Sequence, residues 1–371
     1  MDWLRDARVV EPANEDEVSA ALRSADQDGL AVIPRGGGTK LDWGNPPSRA
    51  DVILSTAKLH RVLEHAWADL TVTVEAGCTV ADLQRTLAQH GQRLAIDVLW
   101  PERATIGGIL STNDSGALRL AYGSLRDLVI GITLVLADGT IARSGGKVVK
   151  NVAGYDLPKL ATGAMGTLGV ITQATFRLHP LPRNARTLTI AAGNPEIAQT
   201  LLLTMEAATL AHTALQVRFG ANAEPQMDIL LEGTEAGIAS QEERVRELAG
   251  AAVVTEAAAD VWKAREKVAE SSAVAKISVL PSHIAKTIER QAKACPTAVV
   301  QATGIGWVAL DAGLMDLRAQ VESDGGSLVI LRGRCTDAWG DPGDALPLMR
   351  AVKHQLDPKG TLNPGRFVGG I

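Results

Sequence analysis

The sequence predicts an α+β protein of two domains. Its length of 371 residues corresponds to two domains, or at most three, at roughly 100–200 residues each. The chain is 46% hydrophobic and 21% charged, which is enough for a sizeable core and too apolar for a disordered chain. Its 36 glycines are unevenly placed: 19 lie between Gly29 and Gly169, five from Val170 to Thr303, and 12 from Gly304 onward. Because glycine serves positions of positive φ or close approach, the first block indicates a site-bearing domain and the sparse middle indicates regular structure.

Composition excludes several classes of protein. A net charge of −5 argues against a general binder of nucleic acid or of anionic membranes. The three cysteines, Cys78, Cys295 and Cys335, are far apart and odd in number, so we expect neither a disulfide framework nor a cysteine-rich zinc or iron–sulfur site. Residues 1–17 lack the apolar segment of a signal peptide, and no stretch approaches 18 apolar residues. We therefore expect a cytoplasmic protein without an integral membrane segment.

Capping residues and apolar periodicity predict the elements of the first half. Asn14 followed by Glu17 is a capping-box pattern at the start of a helix. Thr79 caps a second predicted helix, over residues 79–90, which ends at Gly91. Apolar or alternating runs predict strands at residues 30–33, 51–54, 70–75, 128–137 and 169–178, with a hairpin turn at Asp138-Gly139. This order is not a regular βαβ alternation.

The second half has a different order of elements. We predict strands at residues 187–192, 215–219, 228–231, 276–280, 298–302, 307–310 and 327–331, and helices at 195–210, 235–248, 257–271, 283–294, 313–323 and 344–355. The resulting order, βαββα followed by βαββαβ, resembles two ferredoxin-like halves in one antiparallel sheet. Pro180 and Pro182 mark the boundary between the two parts of the chain.

A glycine-rich segment follows the first predicted strand directly. Residues 34–40 are Pro-Arg-Gly-Gly-Gly-Thr-Lys, in which consecutive main-chain N–H groups can curl around phosphate oxygens. The segment is not a Walker loop, because no Gly-Lys-Ser/Thr follows, and not a Rossmann fingerprint, because residues 42–47 cannot continue as a helix. A flexible loop has the same composition, and the residues alone leave that alternative open.

Two further segments combine glycine with polar side chains. Residues 100–116 place the pair Gly107-Gly108 among hydroxyl groups and the Asn113 amide, which suits a flat polar ligand approached by main chain. Residues 163–172 have a glycine at every third position before a strand begins. A buried turn and a tight helix-to-strand crossing are the respective alternatives.

Taken together, in this order and spacing, the three segments resemble one family. With Tyr122-Gly123 and the run Val-Leu-Ala-Asp-Gly at 135–139, they are similar to the FAD-binding domain of the vanillyl-alcohol oxidase/p-cresol methylhydroxylase (PCMH) superfamily. Residues 149–157 resemble the second of the two flavin subunits of bacterial glycolate oxidases, and residues 357–367 resemble the ending of such 2-hydroxy-acid flavoproteins. The resemblance covers roughly residues 15–181 and 344–371 and is weaker between them. It implies a two-subdomain PCMH-type FAD-binding domain at 1–181, an antiparallel-sheet, ferredoxin-like cap domain at 182–343, and a C-terminal segment at 344–371 that returns to the FAD domain.

The resemblance also implies how FAD is held. Residues 35–40 would bind the pyrophosphate through main-chain N–H groups, and residues 169–171 would meet the adenine end through backbone groups. The dinucleotide and the flavin would be walled by Pro101, Thr105, Gly107, Gly108, Ser111 and Gly116. The expected cofactor-binding residues are Pro34, Arg35, Gly36, Gly37, Gly38, Thr39, Lys40, Pro101, Thr105, Gly107, Gly108, Ser111, Asn113, Gly116, Gly169, Val170 and Ile171. Covalent FAD in this superfamily often uses a histidine in the first loop, which has none here, so we expect non-covalent FAD.

The sequence departs from catalytic relatives in the second domain. Those proteins carry a His-x-Gly-Asp-Gly-Asn segment with base and metal-ligand chemistry, whereas this chain has Gly-Asp-Pro-Gly-Asp at 340–344. Its seven histidines form no H-x-x-x-H or H-E-x-x-H pair, so we predict no metal site and assign no catalytic base. Arg332 and Arg334, at the end of a predicted strand, are candidates for clamping a carboxylate, with solvated charges at a sheet edge as the alternative.

Three hypotheses of function remain. In the first, the chain is a FAD-dependent 2-hydroxy-acid oxidoreductase subunit that oxidises glycolate or a similar acid and passes electrons to an iron–sulfur partner. In the second, which the missing histidine segment favours, it is an accessory FAD subunit with a structural or electron-relay role. The third is a nucleotide-binding module without flavin. The resemblance implies a larger FAD-containing glycolate oxidase subunit and an iron–sulfur subunit as partners, with any membrane association arising through that complex.

Overall fold

The chain folds into two compact units. The computed structural model describes residues 5–147, 154–220, 223–289, 297–310, 312–333, 335 and 337–371. Unit 1 comprises the described parts of 1–115, 123–181 and 341–371, and unit 2 those of 116–122 and 182–340. The predicted α+β class is confirmed in both. No helix in the described part of the chain combines the length and the apolar character needed to cross a bilayer.

Unit 1 contains three sheets. Its strands are β1 (Arg8–Val10), β2 (Val32–Arg35), β3 (Val52–Ser55), β4 (Val62–Ala66), β5 (Thr71–Glu75), β6 (Gln92–Arg93), β7 (Val129–Val135), β8 (Ile141–Gly145), β9 (Val170–Arg177) and β10 (His179–Pro180). A parallel sheet has the order β1-β3-β2, an antiparallel sheet has the order β4-β5-β9-β7-β8, and β6 pairs with β10. Its helices are α1 (Glu15–Gln27), α2 (Val80–Ala88), α3 (Ile106–Thr112), α5 (Leu125–Leu128), α6 (Leu157–Ala161) and α12 (Leu346–Leu356).

The capping residues act in unit 1 as the sequence predicts. The Asn14 side chain caps α1 by accepting from the Glu17 N–H at 2.9 Å. The Glu17 carboxylate accepts from the Ala13 N–H and the Asn14 side-chain amide, both at 2.8 Å, rather than from the Asn14 N–H as in a capping box. The Thr79 hydroxyl caps α2 by accepting from the Asp82 N–H. The predicted hairpin at Asp138-Gly139 joins β7 to β8, with Gly139 at φ 84°. These local signals therefore place both helix starts and the turn.

Two hydrophobic cores hold unit 1 together. Alternate residues of β5, β7 and β9, including Val74, Ile132 and Phe176, pack against α2, α3 and α5. The second core joins α1 to the parallel sheet and includes Leu362, from the C-terminal segment. Leu362 also forms a parallel bridge with Val32 of β2. The end of the chain thus lies beside the strand that leads into the glycine-rich loop.

Unit 2 is one eight-stranded antiparallel sheet with helices. Its strands are β11 (Asn184–Ala191), β12 (His212–Gly220), β13 (Ala223–Gly233), β14 (Val254–Ala257), β15 (Val274–Ser278), β16 (Thr297–Gln301), β17 (Ile305–Ala309) and β18 (Ser327–Arg332). The strand order is β14-β11-β13-β12-β16-β17-β15-β18. Its helices are α4 (Arg119–Tyr122), α7 (Pro195–Ala207), α8 (Glu235–Ala249), α9 (Ala264–Ala269), α10 (Ile284–Glu289) and α11 (Leu314–Ser323). Each half of the sheet has its four strands in the order 4-1-3-2 or its reverse, and the halves join through β12 and β16. The predicted pair of ferredoxin-like halves is therefore confirmed.

Several predicted boundaries in unit 2 and before it are wrong. The helix predicted at 257–271 begins only at Ala264, because Val254–Ala257 form β14, which pairs with β11, and a 3-10 turn over Ala259–Lys263 follows. The strand predicted from residue 128 begins at Val129, because Ser124 caps the short helix α5. The end of the helix predicted at 283–294 and residues 149–153 of the glycolate oxidase-like run lie outside the described residues.

Candidate functional site

A cleft in unit 1 gathers the three glycine-containing segments. Its walls include most of the predicted cofactor-binding residues, namely Pro34, Arg35, Gly36, Gly37, Gly38, Thr39, Lys40, Thr105, Gly107, Gly108, Ser111, Gly169, Val170 and Ile171. The cleft is also lined by Asn363 and Arg366, which lie in the C-terminal segment expected to return to the FAD domain. Further lining residues, which the sequence did not indicate, are Leu41, Thr56, Thr112, Met165 and Gly166. Segments distant in the chain thus share one surface.

The loop after β2 lies against the start of α3, and this contact requires glycine. A Cβ atom at Gly37 would lie 1.7 Å from the Arg103 carbonyl oxygen, and one at Gly36 would lie 2.1 Å from the Thr105 hydroxyl oxygen. No hydrogen bond within the described chain uses the main-chain N–H groups of Gly36, Gly37 or Gly38. Three consecutive donors in a loop are the arrangement that binds phosphate oxygens.

The N–H groups in the first turn of α3 already donate to acceptors within unit 1. Ile106 N–H donates to the Cys78 carbonyl at 3.0 Å and Gly107 N–H to the Ala76 carbonyl at 2.7 Å. Thr105 caps the helix by accepting from the Gly108 N–H. These bonds fix α3 against the segment after β5. The glycine-rich loop, rather than the helix N-terminus, therefore offers the donors in this cleft.

Lys40 ends the loop with a buried ion pair. Its ammonium lies 3.1 Å from a carboxylate oxygen of Asp114, and the two side chains are 4% and 0% exposed. The Asp114 carboxylate also accepts from the Leu99 N–H at 2.9 Å. The ammonium lies 5.6 Å from the ring centroids of both Trp43 and Trp100. The charge of Lys40 is thus balanced inside the protein and anchors the loop.

The third segment turns sharply beside α3. Met165 and Gly166 adopt positive φ angles of 54° and 70°. Met165 N–H donates to the Ser111 carbonyl at 2.8 Å, which ties the turn to α3. A Cβ atom at Gly169 would lie 2.5 Å from the end of the Leu134 side chain and 3.2 Å from the Val135 carbonyl oxygen. Glycine is therefore favoured by close approach at Gly169 and by positive φ at Gly163 and Gly166.

Asn363 and Arg366 line the cleft although no sequence pattern assigns them an individual role. The Asn363 amide donates to the Met165 carbonyl at 2.6 Å, while its own oxygen is buried and has no hydrogen-bond partner among the described residues. Arg366 is 3% exposed and donates to the Trp43 carbonyl at 2.5 Å. Burial lowers the pKa of Arg366 to about 10, against the opposing effect of Asp42. The similarity of residues 357–367 to flavoprotein endings was the only sequence signal that could have found them.

Three predicted residues stand outside the lining of this cleft. The Pro101 carbonyl accepts from the Ala81 N–H at 3.0 Å. Asn113 ends α3 at φ 47°, and its side-chain oxygen is buried without a hydrogen-bond partner in the described chain. Gly116 belongs to unit 2. A cofactor role for these residues stays a prediction.

Unit 2 contains a cation–π group, which we call the Trp307 cluster and define as Arg265, Lys276 and Trp307. Trp307 is 1% exposed, with the Arg265 guanidinium 4.7 Å and the Lys276 ammonium 5.6 Å from its ring centroid. The indole N–H of Trp307 and the side-chain oxygen of Gln301 are buried and lack hydrogen-bond partners among the described residues. Both cations thus make cation–π contacts with the indole ring of Trp307.

Arg332, the predicted carboxylate clamp, supports this cluster through the backbone. Its guanidinium donates to the carbonyls of Ala269 and Ser271 at 2.9 and 3.3 Å, at the end of the helix that carries Arg265. Arg334 lies outside the described residues. Among the described residues, no group of three His, Cys, Asp or Glu side chains is placed to hold a metal ion.

Two segments of the chain match known protein families. Residues 7–145 match the family described as FAD binding domain, and residues 341–367 match the C-terminal domain of FAD-linked oxidases. These two matches include both the glycine-rich loop and the segment with Asn363 and Arg366. The two matched segments belong to the vanillyl-alcohol oxidase/PCMH family of FAD-linked flavoproteins.

Individual members of this family are similar to parts or most of the chain. The glycolate oxidase subunit GlcD of Bacillus subtilis is 39% identical over 180 residues, which are 48% of this chain and 38% of that protein. The D-lactate dehydrogenase of Archaeoglobus fulgidus is 41% identical over 49% of this chain and 41% of that protein. The chain therefore aligns with about two fifths of the length of these relatives.

A longer but weaker similarity extends over nearly the whole chain. The mitochondrial cytochrome D-lactate dehydrogenase of Arabidopsis thaliana is 27% identical over 97% of this chain and 73% of that protein. The solved structure of an alkyldihydroxyacetonephosphate synthase superposes with a TM-score of 0.72 at 18% identity, over 96% of this chain and 75% of that one. This structural likeness confirms the PCMH-type fold and nothing beyond it.

The residues of the cleft fit FAD, the cofactor of this flavoprotein family. The loop at 36–38 supplies main-chain donors for a pyrophosphate, and side chains at Gly36 and Gly37 would clash with the segment before α3. The buried, unpartnered oxygen of Asn363 is an acceptor that a bound polar group can satisfy. When bound, FAD supplies two-electron redox chemistry, while the protein supplies binding and orientation.

Proposed function

We propose that the chain is the FAD-binding subunit of a glycolate oxidase or glycolate dehydrogenase complex. In this proposal it oxidises glycolate or a similar small 2-hydroxy acid with non-covalent FAD and passes the electrons to an iron–sulfur partner. The observation that carries the proposal is the cleft at the glycine-rich loop, on a chain whose relatives are named glycolate oxidase subunit and D-lactate dehydrogenase.

The proposed partners follow from the family resemblance, and the electron count supports the need for a carrier. Oxidation of the alcohol removes two electrons, which must leave the chain before the next turnover. The chain has three cysteines in all, with no spacing typical of an iron–sulfur cluster. An external carrier is therefore part of the proposal, together with a larger FAD-containing glycolate oxidase subunit. We place this complex in the cytoplasm, with any membrane association made by the complex.

The test is anaerobic mixing of the FAD-loaded chain with glycolate, D-lactate and D-2-hydroxyglutarate. We expect one of these acids to bleach the flavin absorbance promptly. A chain that holds FAD and is reduced by none of them would refute the catalytic proposal.

The second candidate is an accessory FAD subunit with a structural or electron-relay role. It is favoured by residues 340–344, where Gly-Asp-Pro-Gly-Asp replaces the His-x-Gly-Asp-Gly-Asn segment. Purification from the native host, with flavin and iron counted per chain, tests the complex in either case. Recovery without an iron-containing or second flavin-containing partner would contradict both forms of the proposal.

A further inference from the structure

One buried lysine joins the parts of unit 1 that form the cleft. The ammonium of Lys353, on α12, lies 2.5 Å from an Asp357 carboxylate oxygen, 2.8 Å from the Thr167 carbonyl and 2.9 Å from the Leu362 carbonyl. An ammonium has three donors, and here each has an acceptor. Lys353 therefore connects the helix, the C-terminal loop and the turn at 163–169.

The Asp357 carboxylate accepts further hydrogen bonds from the C-terminal loop. Its oxygens accept from the Thr361 N–H at 2.9 Å, the Thr361 hydroxyl at 3.1 Å and the Leu362 N–H at 2.8 Å. Asp357, Thr361 and Leu362 are 1%, 3% and 0% exposed. We call this group of Lys353, Asp357, Thr167, Thr361 and Leu362 the C-terminal latch.

The C-terminal latch adjoins cleft-lining residues in two segments of the chain. Asn363 follows Leu362 directly and donates to the Met165 carbonyl, two residues before Thr167. The Val32 N–H donates to the Thr361 carbonyl at 2.8 Å, and the Asn363 N–H donates to the Val32 carbonyl at 3.0 Å. Val32 opens β2, the strand that leads into the glycine-rich loop. The latch thus fixes Asn363 relative to both the loop and the turn.

The stability of the buried Lys353 ammonium depends on its hydrogen-bond acceptors. A buried ammonium is stable only while paired and hydrogen-bonded. Burial lowers the pKa of Lys353 below its usual value, against the charge and hydrogen bond of Asp357. Displacing the C-terminal loop alone would leave the buried Lys353 ammonium with fewer hydrogen-bond acceptors, which is unfavourable. Separate movement of the loop and the turn at 163–169 is therefore disfavoured.

We propose that Lys353 is a positioning residue of the FAD site. Through the C-terminal latch it holds Asn363 and the turn at 163–169 in the arrangement that receives the cofactor, and bound FAD in turn strengthens the latch. This coupling is reciprocal, since any group that binds one arrangement preferentially stabilises it. The proposal depends on FAD binding by unit 1 and not on which acid is oxidised.

The first test compares Lys353→Met with Lys359→Met. Lys359 lies in the same segment, is about half exposed and pairs with Asp26 at 2.9 Å, so its variant is a matched control. Titration of the apoprotein with FAD should give a Kd at least tenfold higher for Lys353→Met, which is about 1.4 kcal/mol, and a Kd within about twofold of wild type for the control. The gain in unfolding free energy on adding FAD should fall by the same amount. A lysine that only stabilised the fold would lower apo and FAD-bound stability equally and leave both quantities unchanged, and that result would overturn the proposal.

The second test needs no variant. Hydrogen exchange of the wild-type chain, with and without FAD, should show slower exchange for the amides of Thr361, Leu362 and Thr167 when FAD is bound, and unchanged exchange in β12 of unit 2. Equal exchange of the latch amides in the two states would refute the coupling, even if Lys353→Met fails to fold. If FAD slows the exchange of the latch amides but none of the tested acids reduces the flavin, that result would count against the proposed function alone.

Discussion

At the scale of single residues, the cleft is shaped by the absence of side chains. Gly36 and Gly37 lie so close to Thr105 and Arg103 that even a methyl group would overlap them. The sequence could predict that these glycines mattered, because three in a row follow a strand. It could not predict what they approach, because Arg103 and Thr105 lie more than 60 residues further along the chain.

Gly37→Ala should therefore damage both the fold and the FAD site. The added methyl group meets the Arg103 carbonyl at 1.7 Å, and overpacking of this kind costs about 1–3 kcal/mol. We expect a lower free energy of unfolding and at least about tenfold weaker FAD binding. Gly146→Ala, where nothing lies within 4 Å of the new atom, is the control. Equal FAD titrations for the two variants would show that the loop does not hold the cofactor.

Lys40 and Asp114 act as a unit. Removing Lys40 takes away the cation 3.1 Å from the buried Asp114 carboxylate, and breaking a buried ion pair in this way costs about 3–5 kcal/mol. Lys40→Met should show this loss in urea unfolding. The double variant Lys40→Met, Asp114→Leu should recover a large part of it, because neither charge of the pair then remains buried. A double variant as unstable as the sum of its single variants would contradict this account of the pair.

At the scale of elements, the sequence was most informative where one residue determines a local bond. Asn14 and Thr79 cap their helices as predicted, and Asp138-Gly139 turns the hairpin. The sequence was least informative for strands that form only because they pair with a neighbouring strand. The Val62–Ala66 strand contains Leu, Glu and Ala, which favour helices, and it becomes β4 only because it pairs with β5.

The N-cap of α1 gives a direct element-scale prediction. Asn14→Ala removes the acceptor for the Glu17 N–H and should cost about 1 kcal/mol of stability. Thermal or urea unfolding measures this change. Asn14→Ser retains a capping oxygen and should behave nearly as the wild type does. An alanine variant of wild-type stability would mean that α1 starts independently of its cap.

The end of β5 gives a pH-dependent prediction. Burial alone would raise the pKa of Glu75, but the hydrogen bonds and charge of Arg61 outweigh it, so the pKa lies below its usual value. A carboxyl group with a depressed folded-state pKa adds stability above its unfolded-state pKa and loses it as the pH falls through the folded-state value. Arg61→Met should therefore be less stable than wild type at neutral pH and converge with it in acid. A constant difference at all pH values would exclude Glu75 as the cause.

At the scale of the whole molecule, the family resemblance predicted more than the individual residues did. It implied FAD as the cofactor and a PCMH-type domain followed by an antiparallel-sheet cap, and both the cofactor and the fold are confirmed. It did not assign Asn363, Arg366 or the Trp307 cluster. Those residues become significant only through contacts between distant segments, such as Asn363 with Met165 or Lys276 with Trp307. Periodicity and spacing do not carry that information.

The central claim is that a cleft built largely from main chain in unit 1 binds FAD non-covalently. Flavin content of the purified chain, before and after denaturation and filtration, tests it most directly. We predict about one FAD per chain in the folded protein, all of it released on denaturation, and little or none retained by Gly37→Ala. A wild-type chain without flavin, or flavin that remains attached to the denatured polypeptide, would contradict the account.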